Sequence, residues 1–303
     1  MPQVYIDKKG NAHETPEALA PLADTHGHLS KLAVCDAAAA LERAAAAGVR
    51  LHVIPVDPTD EVDDAPAFLA WLDELRESAG ALGRATYFVA GAHPYGAEAL
   101  DDAAIARLEA LLASPFCKGV GEFGFDFGPW SKVDAAAQEA AFRTQLAIAR
   151  EHGLPVELHL RDPQDGEPIA HEMAARILRQ EGVPEAGCDL HCFTDGPEIM
   201  APFVEMGCRI AFGGAATFAR SEDIRAAACA CPEELLLTET DCPYMTPVPL
   251  RGRACEPGMV AFTAAVLADA RSAALGCSRQ ATYDALWANA LAFFDLAPEA
   301  VLS

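Results

Sequence analysis

The feature that most constrains this chain is a rhythm. Short apolar runs alternate with longer Ala-rich amphipathic stretches along almost its whole length. The runs are Leu22–His28, Val49–Val56, Ala85–His93, Cys117–Phe123, Pro155–Leu160, Cys188–Phe193, Cys208–Gly213 and Leu235–Asp241. Short and near-continuously apolar, they read as strands buried on both faces. Between them Ala37–Ala47, Ala65–Gly80, Ala103–Leu112, Asp134–His152, Pro168–Glu181, Pro197–Glu205 and Ser221–Cys229 read as helices, and Gly258–Leu275 and Ser278–Leu291 follow. Strands and helices in alternation, with eight strands, predict an α/β chain folded as a (β/α)8 TIM barrel. The rival, a doubly wound sheet, usually has fewer strands and a Gly-rich first turn; neither GxGxxG nor GxxxxGK[ST] occurs. The length of 303 residues suits one barrel domain over residues 21–303, preceded by an extension over residues 1–20. In that extension Val4–Ile6 and the polar Lys8–Asn11 resemble half of a small hairpin.

Composition narrows the function. The net charge of −23 argues against a broad basic face for nucleic acid, so an anionic substrate must be held locally, by metal or by a few arginines. The apolar runs are too short for a membrane span, which needs about 20 residues, and the polar start lacks the pattern of a secretion signal. The ten cysteines form no CxxC pair and several lie inside strand-like runs, so reduced thiols and a cytoplasmic location are expected, without structural zinc. No feature implies an obligate protein partner.

Chemistry gathers at the strand ends. Asp24-Thr25-His26-Gly27-His28 closes the first strand, and alternate residues of a strand share a face, so His26 and His28 project together with Asp24 below. Two imidazoles so placed are half of a metal site, although a lone pair of this kind serves packing as often. Glu122, in Gly121-Glu122-Phe123-Gly124-Phe125-Asp126, has two oxygens and could bridge two cations. His159 ends the fifth strand, His191 the sixth and Asp241 the eighth. Each alone is unremarkable. Together, four of nine histidines and two acids fall at C-terminal strand ends, where barrel active sites form. Histidines with structural roles would scatter.

These segments also resemble a family, in order and over residues 23–294: Asp24–Leu29 (DTHGHL), Gly91–Tyr95 (GAHPY), Gly121–Phe127 (GEFGFDF), Pro155–Asp162 (PVELHLRD), His191–Asp195 (HCFTD), Gly213–Phe218 (GGAATF), Thr238–Arg253 (TETDCPYMTPVPLRGR) and the Glu256-Pro257 pair. The chain is similar to the TatD family of metal-dependent deoxyribonucleases. The resemblance implies a (β/α)8 barrel, hydrolysis of phosphodiesters, commonly 3′-to-5′ trimming of DNA, and metal ligands at His26, His28, Glu122, His159, His191 and Asp241. The chain departs from the family's usual residues at Tyr95, Leu250 and Cys255, none of them a ligand position.

On that pattern His26, His28 and Asp241 hold one divalent cation and His159 and His191 the other, with Glu122 bridging. The ligand charge of −2 leaves two such cations a local excess of positive charge, which draws a phosphodiester to an acidic protein. Mixed imidazole and carboxylate donors suit Zn, Mn, Fe or Mg. Asp241 is the candidate general base, with Glu122 as its partner in the catalytic pair. Arg161 is expected to bind a phosphate oxygen, or else to pair with Glu122, Glu239 or Asp241. Glu239, two residues before Asp241, is expected to orient a ligand or pair with Arg161. His93, Tyr95, Arg251 and Arg253 are candidate substrate contacts, and Phe127 and Phe193 candidate stacking residues. His13, His52, His152 and His171 read as peripheral. The substrate expected is a nucleic acid end; the alternative is an amide or ester, such as a D-aminoacyl-tRNA, since both reactions use an activated water.

Overall fold

Eight parallel strands form the core of the chain. The computed structural model describes residues 2–32, 36–60, 62–164 and 166–302. A small antiparallel pair, β1 (Val4–Ile6) and β2 (Ala12–Glu14), precedes the eight, which are β3 (Leu22–Asp24), β4 (Val49–Val56), β5 (Thr86–Ala90), β6 (Cys117–Asp126), β7 (Val156–Arg161), β8 (Cys188–Leu190), β9 (Arg209–Phe212) and β10 (Leu236–Thr238). They pair in sequence order from β3 to β10. Beyond the last ladder residues, Gly27 bridges Cys242, the His28 amide donates to the Cys242 carbonyl at 2.7 Å and the Asp241 amide to the His26 carbonyl at 2.9 Å. These bonds join the first strand to the last, so the eight strands form a nearly closed TIM barrel.

Helices cover the outside, and their starts are written in the sequence. Asp36, Asp64, Asp101 and Asp134 each accept backbone amides at the N-termini of Ala37–Ala46, Ala65–Ser78, Asp102–Leu112 and Ala135–His152. Such caps contribute about 1 kcal/mol each, so part of the negative charge has a structural cause. Inside, Leu51, Val53 and Ile54 of β4, Phe88 of β5, Phe123 of β6 and Leu158 of β7 are fully buried. Each contributes roughly 1.5–3 kcal/mol by leaving water.

The apolar segment Pro257–Leu275 is long enough to span a membrane by length and composition, but 61% of it is buried within the fold. Its apolar composition is that of a core helix, packed against the rest of the fold. The β1–β2 pair is docked by Tyr5, which packs with Cys242, Leu250, Cys255, Met259 and Phe262 beside the loop after β10. All nine described cysteines are free thiols.

Candidate metal centre

The strand ends converge on one carboxylate. Glu122 stands in β6 between two glycines that let neighbouring backbone come close. A Cβ on Gly121 would lie 2.6 Å from the Glu157 Cβ, and one on Gly124 would collide with the His159 carbonyl. With β6 and β7 that tight, the Glu122 side chain faces the barrel mouth. Its Oε1 lies 3.5 Å from His28 Nε2 and 3.8 Å from His26 Nε2. Its Oε2 lies 2.9 Å from His191 Nε2 and 3.2 Å from His159 Nδ1. Asp241 joins the first group, its Oδ1 3.5 Å from His28 Nε2 and 3.9 Å from His26 Nε2. The six residues expected as ligands are therefore brought together, with one oxygen of Glu122 facing each group.

The donor chemistry fits divalent cations. His26 Nε2 and His28 Nε2 are 3.3 Å apart, and His159 Nδ1 and His191 Nε2 3.1 Å apart. Outer carboxylates hold the far ring nitrogens: Glu157 Oε1 is 2.7 Å from His26 Nδ1, and Asp126 Oδ2 is 3.0 Å from His159 Nε2. Glu239 Oε1 lies 3.6 Å from His191 Nδ1 and accepts the Cys192 amide at 2.6 Å. A ring whose outer nitrogen donates to a carboxylate turns a lone pair inward, and facing lone pairs are reconciled by a shared positive ion.

The electrostatics agree. Burial alone would raise the Glu122 carboxyl, but His191 and His26, with hydrogen bonds from His159 and His191, hold it well below the usual range. Burial likewise opposes ionisation of Asp241, and its hydrogen bond with His28 and the nearby His26 and His191 overcome it. One layer deeper, burial pushes Glu157 up to about 8 and Glu239 up to about 7. Asp189, fully buried and without a hydrogen-bond partner for either oxygen, is pushed well above the carboxylate range by burial and by Glu157 and Glu239.

The remaining expectations divide. A cleft of about 1070 Å³ opens above the donors, and His93, Tyr95 and Arg161 line it while Arg251, Phe127 and Phe193 do not. Arg251 stacks on the Phe218 ring at 4.2 Å. Phe193 packs against His171 and Phe212, and Phe127 against Phe125, so both aromatics serve packing. Arg161 pairs with Asp126, at 3.2 Å, not with Glu122, Glu239 or Asp241. The His93 ring meets the edge of His159 at 4.4 Å, and burial, helped by the nearby His159, pushes its pKa down to about 3. Asp24, expected below the two imidazoles, turns to the barrel seam. It accepts the Thr240 amide and hydroxyl and lies 3.2 Å from His52 Nδ1, bracing the barrel seam. His52 is accordingly buried rather than peripheral, and so is His171 beside Asp162.

Sequence reasoning missed Asp126 and Glu157. A period of two carries the signal: Glu157 precedes His159 by two residues on β7, and Asp126 follows Glu122 by four on β6.

The comparisons with known proteins agree with this geometry. A family model described as TatD related DNase matches residues 23–295. A metal-dependent hydrolase named TatD from Mycobacterium tuberculosis, itself uncharacterized, is 34% identical over 255 residues, covering 82% of this chain and 89% of that one. A protein named 3′-5′ ssDNA/RNA exonuclease TatD from Edwardsiella piscicida is 37% identical over 180 residues, 57% of this chain and 66% of that one. The crystal structure of YJJV, a TatD homologue from Escherichia coli K12, superposes with a TM-score of 0.77 at 28% identity, covering 92% of this chain and all of that one. With the barrel, the ordered motifs and the donor cluster in agreement, the chain belongs to the TatD family of metal-dependent hydrolases.

Proposed function

We propose that this protein trims single-stranded nucleic acid from its 3′ end, hydrolysing phosphodiester bonds at a centre that holds two divalent cations. The observation that carries this reading is the divided carboxylate of Glu122, one oxygen toward His26, His28 and Asp241 and the other toward His159 and His191. Cations held there would supply the positive charge that acidifies water and neutralises a phosphate. The name of the Edwardsiella relative supports the nucleic acid reading.

The protein's own groups take the other roles. Asp241 accepts the proton of the attacking water, its Oδ1 directed into the cluster. Arg161, anchored by Asp126, offers its guanidinium to a phosphate oxygen at the cleft floor. His93, held neutral, packs on His159 and keeps that ring in place. Beyond the donors, and among the described residues, the cleft lining carries only Lys31 and Arg161 as cations, against Asp57, Asp60, Asp162 and Asp195. Such a cleft neutralises one or two phosphates rather than a long backbone, which favours a strand end over an internal site.

The test uses 5′-labelled single-stranded DNA and RNA with Mg, Mn, Zn or Fe. Stepwise shortening from the 3′ end is expected. Release of the amino acid from a D-aminoacyl-tRNA, with no shortening of either oligonucleotide, would replace this reading with the ester-hydrolase one. Metal analysis should give two ions per chain, falling to about one in His26→Ala and in His159→Ala; full stoichiometry in both variants refutes the ligand assignment.

A further inference from the structure

The chain has three Trp, five Tyr and fourteen Phe. Among the described residues the exposed aromatics are Tyr95 at 44%, Trp130 at 71% and Tyr244 at 52%, and all three line the cleft above the donors. A single exposed aromatic is ordinary. Confinement of the exposed ones to the rim of one cleft is not.

Their placement is specific. Trp130 follows a turn in which the Gly128 amide donates to Asp126 Oδ1, and the Arg161 guanidinium lies 5.9 Å from the Trp130 ring. A Cβ on Gly128 would lie 2.7 Å from the Arg161 Cδ, so this turn needs glycine to pass that side chain. Tyr95 meets the edge of His93 at 4.4 Å on the same flank, which is that of His159. Tyr244 stands on the other flank, its ring 5.9 Å from that of His28 and its amide bonded to the Asp241 carbonyl. Glu122 and the donors lie between the two flanks.

From this arrangement we infer that Trp130 and Tyr95 on one side, and Tyr244 on the other, form a stacking subsite for the unpaired nucleobases on either side of the scissile phosphate. The inference rests on the proposed nuclease reading. It deepens that reading because the acidic cleft leaves little phosphate-directed affinity away from the donors, and stacking is the remaining source that tolerates any sequence. A base inside a duplex offers no free face, so the subsite selects single strands. Arg161 adds a cation beside the Trp130 face, where it can meet both a base and its phosphate.

The test compares a single-stranded oligonucleotide with the same oligonucleotide lacking the base on one or the other side of the terminal phosphodiester. In the unaltered protein each abasic substitution should raise KM about tenfold with kcat nearly unchanged. Trp130→Ala should raise KM about tenfold on the intact strand, with no further rise for one of the two abasic strands. Tyr244→Ala should do the same for the other strand, and Trp130→Phe and Tyr244→Phe should restore most of the loss. Both side chains are surface-exposed, and unchanged metal content checks that the variants fold. An equal KM for intact and abasic strands in the unaltered protein overturns the subsite, as does an abasic penalty that persists in both Ala variants. Neither result touches the nuclease activity. Absence of any cleavage of DNA or RNA overturns the activity and the subsite together.

Discussion

The two halves of the donor cluster are built by different means. His159 and His191 sit on or just past β7 and β8, whose register with neighbouring strands aims them. His26, His28 and Asp241 lie beyond the last ladder residues of β3 and β10. Their positions come from closure of the barrel: Asp24 holds Thr240 and His52, and the backbone of His26 and His28 bonds to that of Asp241 and Cys242. The halves also differ in charge. The closure half has Asp241 as well as its share of Glu122, while the ladder half has that share alone. The richer half is suited to hold a cation firmly. On the proposed two-cation reading, the poorer one would leave positions for water and substrate, as an open metal site does.

That contrast can be broken in several ways. The largest effect is expected of Glu122→Gln, the one change that reaches both halves. Hydrolysis should fall on the order of 10³-fold and metal content should drop in both. Retention of a tenth of the activity would mean that the shared carboxylate is not shared in function. Next come the outer carboxylates. Glu157→Ala should weaken metal binding at the closure half, and Asp126→Ala at the ladder half, each by roughly 10- to 100-fold. If both variants lose the same ion, as measured by metal titration, the halves are not independent.

A smaller effect separates the unaltered halves. Titrating metal into chelated protein should show two steps, with the second midpoint about tenfold higher and hydrolysis appearing only with it; each step should also raise the melting temperature, because the folded state alone presents the site. A single step would erase the distinction drawn from Asp241. The smallest change is expected of Asp24→Asn, which removes the charge that braces the seam. It should cost about 1–3 kcal/mol, a drop of several degrees in Tm, and weaken the closure half while sparing the ladder half. An equal loss at both would show that the seam supports the whole mouth.

Much of this protein was legible in its sequence, and unevenly so. Eight apolar runs in alternation with helices named the barrel, because burial on both faces leaves a strand few polar choices. Several runs were read too long at their C-terminal ends: His26 and His28, Gly91 to His93, His191 to Phe193, Gly213, and Glu239 to Asp241 all lie past the ladder. Cys192 and Asp241 take positive φ there, of 49° and 53°, so the chain leaves the pleat just where its donors turn inward. Periodicity does not register such a departure. The six residues named as donors nevertheless come together at the barrel mouth, because donor types gathered at the C-terminal ends of five strands meet where those ends converge.

Pairing across strands was less accessible. Arg161 was offered three acidic partners and took a fourth, Asp126, since the register of β6 against β7 sets Asp126 opposite Arg161. Phe127 and Phe193 were offered as stacking residues and turned into the packing, while Trp130 and Tyr244 went unremarked and stand at the rim. The sequence by itself determined the barrel and the family and named the six residues that meet at its mouth, because these depend on residue type and order along the chain. Only the tertiary structure decided which carboxylate braces which imidazole and which aromatics face the cleft. Those outcomes depend on distances between strands far apart in sequence, and a one-residue shift in register would rewrite them.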